Sequence, residues 1–362
     1  MWEWLRRIIG RAEPVPTPAP SPQPIRRDPP KLRVIDGGLN QTAGFDQLMK
    51  LTGQPIPEPQ VVTPEAVEKE EELAARVLDH FRKNRPAPSA LPAISLQVLN
   101  MVAEPDLSLS ELTRVVSQDP AFSAAILKVA NSPAYAGAQE IQTLRDAVSR
   151  LGLVEVGRVA GMVSARSLFQ PQVRTEFAAF GNRWNDIFSE SVAGARGAAW
   201  LTLRLKKARS DHAFLAGILH DLGRSVALRS VAALEFAGHS FELEGTQIDR
   251  VVERVHVEIG GEVHADWSLP RFPTLVAMRH HDLTLPTDGE YVDVHAVRLC
   301  SALVQVRRQP WRVEQVRAEV DESCQALHLD GFVLRTLDTQ LRTEIENVIA
   351  TFDHRPKKRA SH

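Results

Sequence analysis

The sequence predicts an all-α protein. Two observations carry that expectation. From about residue 63 to 352, apolar residues recur at helical spacing behind recognisable capping residues. No convincing run alternates apolar and polar residues as a half-buried strand would. The 43% apolar content is that of an ordinary globular chain, so a sizeable core can cover the helix faces.

The elements read in order as follows. Residues 1–11, MWEWLRRIIGR, group Trp4, Leu5, Ile8 and Ile9 with Arg6, Arg7 and Arg11 around them. Over about three turns this is a short amphipathic helix, suited to weak contact with a membrane surface or a docking partner. The competing reading is a frayed terminus, because so short a helix is marginal alone. There is no continuous apolar stretch or small-residue cleavage site, so it does not read as a secretory signal. Residues 12–30, AEPVPTPAPSPQPIRRDPP, favour extended polyproline II and read as a stiff tether. The polar stretch 31–62 is expected to be irregular apart from a short helix near FDQLMKL, so 12–62 is taken as a Pro-rich, mostly disordered linker.

Helical signals then dominate. Thr63-Pro64-Glu65 is a helix start, with Leu73, Val77, Leu78 and Phe81 on its apolar face. Ser108 to Glu111 is a capping box before Leu112, Val115 and Val116. Asp119-Pro120 starts a helix that Asn131-Ser132-Pro133 ends, and Thr143 starts another that runs to Gly152, a natural stop. Trp311, Val313, Val316, Val320, Leu334, Leu341 and Ile345 form a C-terminal helical cap, and the polar, basic residues 353–362 read as a disordered tail.

Several motifs stand in a fixed order between about residues 91 and 305: LPAISLQVLNMV (91–102), SQDPAFSAAILKVANSPAY (117–135), AVSRLGLVEV (147–156), ILHDLGR (218–224), VHVEIGGEVHADWSLP (255–270) and MRHHD (278–282). With them the chain resembles the HDOD family, the "HD-related output domain" of bacterial signalling proteins. One short motif would be weak; several in order over this length are specific. The resemblance implies a two-lobed helical bundle within residues 63–352, its second lobe like an HD phosphohydrolase domain. HDOD proteins are regarded as regulatory modules related to HD-GYP cyclic-di-GMP phosphodiesterases that have lost part of the metal site.

That resemblance poses a chemical question. A dinuclear hydrolase needs His and carboxylate ligands from separate helices and an open position for a metal-activated water. His220 and Asp221 supply the central pair, His256 fits the later helix, and His280 and His281 fit the paired histidines. Glu190 stands where the resemblance implies a His, Ser301 where it implies an Asp, and the HD-GYP extension after the paired histidines is missing. Two readings follow: these residues hold a divalent transition metal (Fe, Mn, Zn or Ni), or they persist as a buried hydrogen-bonded network that fixes helix packing. The second is preferred, because a network tolerates the substitutions at 190 and 301 and a metal shell does not. His264, about two turns beyond His256, is expected to be exposed or capping. Trp184, Trp200 and Cys300 are expected in the core.

The function expected on this basis is a non-catalytic signalling module that acts by protein–protein interaction. The alternatives are a metal-dependent phosphohydrolase acting on a nucleotide or cyclic dinucleotide, and a nucleotide sensor that binds without turnover. Net charge of −2 offers no general attraction to nucleic acid, and the Arg26-Arg27 and Lys357 to Arg359 clusters fall in the expected tails. Cys300 and Cys324 are too few for a disulfide framework. With no stretch long enough to span a bilayer, the expectation is a cytoplasmic protein with at most peripheral membrane contact.

Overall fold

Hydroxyl and acidic caps set the helix starts, as their spacing predicts. In the computed structural model, backbone amides bond to the side chains of Thr63, Ser108, Asp119 and Thr143, at 3.1–3.3 Å. Residues 44–53, 55–56, 62–85, 97, 101, 108–132, 135, 140–169, 180, 183–205, 210–238, 245–266, 271–306 and 309–352 are described. The amphipathic N-terminus, the tether, the Leu-Pro segment at 91–96, Trp267, Pro270 and the basic tail lie outside them.

The helices are α1 (Phe45–Thr52), α2 (Pro64–Lys83), α3 (Leu109–Val116), α4 (Pro120–Ala130), α5 (Leu144–Phe169), α6 (Arg183–Leu205), α7 (Ser210–Leu219), α8 (Leu222–Phe236), α9 (Gly245–Asp266), α10 (Arg271–Arg279), α11 (Tyr291–Gln305), α12 (Val313–Leu327) and α13 (Gly331–Phe352). The fold is all-α, with no strand among the described residues. Gly152 breaks α5 as expected: its φ of 73° is left-handed, and the chain resumes helix at once at a changed angle. Asn131 closes the turn after α4. Its amide donates to the Ile141 carbonyl and its carbonyl accepts the Ile141 amide, both at 2.8 Å.

Two apolar cores form on either side of α6 and α7. One takes its side chains from α2 to α9 and the other from α1, α6, α7 and α10 to α13. The short helix expected near FDQLMKL is α1. Phe45, Leu48 and Met49 are buried in the second core, so part of the segment read as linker is packed. The midpiece of α6 carries Ala193, Gly194, Ala195, Gly197, Ala198 and Ala199, all buried. Small residues let neighbours close in: Gly194 lies against the Ser301 backbone of α11, and Gly217 of α7 against Ala195. Trp184 is in the first core and Trp200 is half-buried against the second. No helix among the described residues is long and apolar enough to cross a membrane.

Candidate functional site

The close approach of α6, α7 and α11 brings the motif residues to one buried point. His220 and Asp221 form the two-residue break between α7 and α8. Asp221 stands at the N-cap of α8 but makes no side-chain capping bond, so its carboxylate is free to face inward. His256 comes from the middle of α9, His280 and His281 from the turn after α10, Glu190 from α6, and Ser301 from α11. The sequence motifs far apart in the chain thus converge. His256, His280 and His281 place one nitrogen each within 4.8 Å of one another, and so do the ligand atoms of His220, Asp221 and His280.

Backbone carbonyls decide which ring nitrogens carry protons. Nδ1 of His220 faces the Gly217 carbonyl at 2.8 Å, that of His256 the Glu253 carbonyl at 2.6 Å, and that of His280 the Val276 carbonyl at 3.0 Å. A carbonyl only accepts, so each Nδ1 donates and each Nε2 presents a lone pair. Burial holds all three imidazoles neutral, pushed down to about 4.

The two oxygens of Asp221 then meet different surroundings. Oδ2 accepts from Gln305 Nε2 at 2.8 Å and from Arg224 Nη1 at 3.4 Å. On this side the Ser301 hydroxyl, 3.1 Å away, donates to His220 Nε2, and Gln305 Nε2 also reaches Ser301. Oδ1 is buried with no hydrogen-bond partner among the described residues, 3.6 Å from Nε2 of both His256 and His280. Burial alone would raise this carboxyl, but the charges around it, the Arg224 guanidinium among them, outweigh burial and hold it well below its usual range.

A shell of buried charge surrounds the centre. Arg224 on α8, 2% exposed, binds Glu190 at 3.1 Å and lies 3.6 Å from Glu253. Arg312 pairs with Glu253 at 2.7 Å. His281 sits between two carboxylates, with Nδ1 2.6 Å from Glu319 and Nε2 3.3 Å from Glu253. Burial would lower His281, but bonds to Glu253 and Glu319 win and raise it to about 9. Beside this shell opens a cavity of about 110 Å³, lined among others by Arg183, Glu190, Arg224, Asp249 and Gln309.

One expectation is corrected. His264 is neither exposed nor capping: it is fully buried, its Nε2 3.1 Å from the Leu219 carbonyl and its Nδ1 3.3 Å from the Thr274 hydroxyl. The α9 backbone there faces the α7 end and α10, so the ring ties both to the residue preceding His220. Sequence reasoning also missed Arg224, Gln305, Glu253, Arg312 and Glu319. Three of these carried a signal: Arg224 is three residues after Asp221, Glu253 three before His256, and Gln305 four after Ser301, each one helical turn from a named residue. Nothing local marks Arg312 or Glu319, which arrive from the segment and helix after α11.

Comparison with known proteins follows this geometry. The HDOD domain family model matches residues 89–283. No curated protein matches the chain. Among solved structures, a metal-dependent phosphohydrolase from Shewanella amazonensis SB2B is similar at 22% identity and TM-score 0.56, over 78% of this chain and 99% of its own. An HDOD domain protein of unknown function from Geobacter sulfurreducens is similar at 22% identity and TM-score 0.55, over 79% and 99%. A signal transduction protein from Marinobacter aquaeolei VT8 is similar at 20% identity and TM-score 0.52, over 82% and 68%. The first and third carry the qualifier "putative" in their names. At these identities the likeness is one of fold.

Proposed function

The chain belongs to the HDOD domain family, and on that premise we propose that it is a non-catalytic signalling module that acts by binding a partner protein. The observation that supports this most is the Oδ2 side of Asp221. Two-metal hydrolysis needs both oxygens of a bridging carboxylate to face cations. Here Oδ2 is taken by Gln305 and Arg224, and Ser301 offers His220 a hydroxyl where a second ligand carboxylate is needed. The side chains that close this position are themselves buried and paired, so clearing it would strand Glu190 and Asp221 without a cation.

The phosphohydrolase alternative draws on the convergent histidines, and it needs that second ion. The nucleotide-sensor alternative needs room. The 110 Å³ cavity falls short of the roughly 300–1,000 Å³ of a small-molecule pocket. Its lining also sets Asp186, Glu190 and Asp249 against Arg183 and Arg224, a poor match for a polyphosphate. A cytoplasmic location is part of the same proposal, supported by two buried free thiols, Cys300 and Cys324.

The deciding experiment incubates purified full-length protein with manganese or ferrous iron and either cyclic di-GMP or bis-p-nitrophenyl phosphate. The expected result is no turnover above the metal-only blank. Turnover that disappears in His220→Ala would overturn the proposal. The partner arm is capture from the source cells followed by reconstitution with the purified partner; failure of every captured protein to bind directly would count against it.

A further inference from the structure

We infer that the centre is built for one metal ion, held on the Oδ1 side of Asp221 by that oxygen and the Nε2 atoms of His256, His280 and His281. The Oδ2 side, where a second ion would sit, is closed by Gln305, Ser301 and Arg224. The inference shares this closed half with the functional proposal, and its test separates the two.

The lone pairs are the first argument. Nε2 of His256 and Nε2 of His280 face each other at 3.2 Å, although both rings have their proton on Nδ1. Two buried lone pairs at that distance repel unless a positive centre lies between them. Asp221 Oδ1 adds a third acceptor, buried and without a donor among the described residues. Buried acceptors of this kind require a partner.

Spacing is the second argument. Nε2 of His281 is also 3.2 Å from Nε2 of His256, and an ion there displaces the proton that Glu253 otherwise holds on that nitrogen. Two imidazoles on one ion, at metal–nitrogen distances of about 2.0–2.1 Å, lie about 2.9–3.4 Å apart for angles between right and tetrahedral. The outer partners agree: the second nitrogen of each ring is engaged by a carbonyl (Glu253 or Val276) or by a carboxylate (Glu319). Such partners orient a ligating histidine.

Charge is the third. Once the ion has displaced the His281 proton, Glu190, Asp221, Glu253 and Glu319 are buried against Arg224 and Arg312, an excess of carboxylates that a divalent ion offsets. Three imidazoles and one carboxylate suit zinc or ferrous iron over magnesium or calcium. His220 is the competitor for a place in the shell, but its Nε2 accepts the Ser301 hydroxyl and faces the closed half.

The test strips the full-length protein with a chelator and titrates it with Zn²⁺ or Co²⁺. Bound metal is counted by elemental analysis, with Co²⁺ absorption and thermal shift as independent readouts. One ion per chain is expected, with a rise in Tm. His256→Gln and His280→Gln, checked for helical content, should each weaken binding at least tenfold, while His220→Gln keeps one ion. Two ions per chain would overturn the inference, as would none in the wild type, or equal loss in His220→Gln and His280→Gln. One ion without turnover supports both proposals, and one ion with turnover sinks only the functional one.

Discussion

Burial, acting on single imidazoles, makes the centre sensitive to acid. Burial pushes His220, His256, His264 and His280 down to about 4, whereas in the unfolded chain each titrates near about 6.5. Below that value the unfolded state binds protons that the folded state refuses, so stability falls as pH drops from about 6.5 towards 4. His281 has the opposite sign. Raised to about 9, it contributes fully below about 6.5, and the contribution is lost as pH rises towards 9. Metal-stripped protein should therefore melt highest near neutrality and lose Tm on both sides, more steeply in acid, where four groups act against one. Thermal unfolding between pH 5 and 9 checks this; an acid side as flat as the neutral region would mean that these histidines are not shielded. The motif order located His220, Asp221, His256, His280 and His281. It was silent on Arg224 and Gln305, because a side chain one turn along a helix can face the site or the solvent, and only packing chooses.

Among the elements, the crossing of α8 and α9 sets how closely the His-Asp break approaches His256. A Cβ on Gly223 would lie 2.0 Å from the His256 carbonyl oxygen and 2.7 Å from the Gly260 nitrogen, both backbone atoms that cannot step aside. On Gly260 the nearest atom would be 3.6 Å away, ordinary contact. Gly223→Ala should accordingly cost about 1–3 kcal/mol or more, while Gly260→Ala should be near neutral, helix propensity offsetting slight crowding. Urea unfolding of the two variants decides it, and equal losses would refute the crossing argument. The α2–α9 pairing is set more loosely. Glu70 and Glu71 meet Arg250 and Arg254, and further along Arg82 and Arg85 meet Glu258, Glu262 and Asp266. Reversing the charge order along both helices favours one parallel register, although the exposed pairs among them are each worth little. Helix starts were legible because capping is local. The immediate restart beyond Gly152 was not, since it depends on what the next turn packs against.

For the molecule as a whole, Arg196 is the clasp. From α6 its guanidinium reaches Glu155 on α5 at 2.6 Å, the Tyr135 hydroxyl beyond α4 at 2.8 Å, and Glu344 on α13. It thus joins the Asp-Pro helix region, the central helix and the C-terminal cap. Arg196→Met would leave Glu344 buried without this cation and Glu155 with Arg158 alone, 3.4 Å away, at a cost of about 3–5 kcal/mol. Hydrogen exchange should quicken in α5 and α13 together; quickening in only one of them would show that Arg196 does not couple them. By itself the sequence determined the all-α class, the helix starts and the set of motif residues that meet, because capping, periodicity and motif order are properties of neighbours along the chain. The tertiary structure decided which half of the His-Asp centre stays open, that His264 is buried, and that α1 belongs to the folded unit. Those outcomes rest on side chains such as Arg224, Gln305, Glu319 and Arg312, brought together from distant helices, whose partners no local pattern encodes.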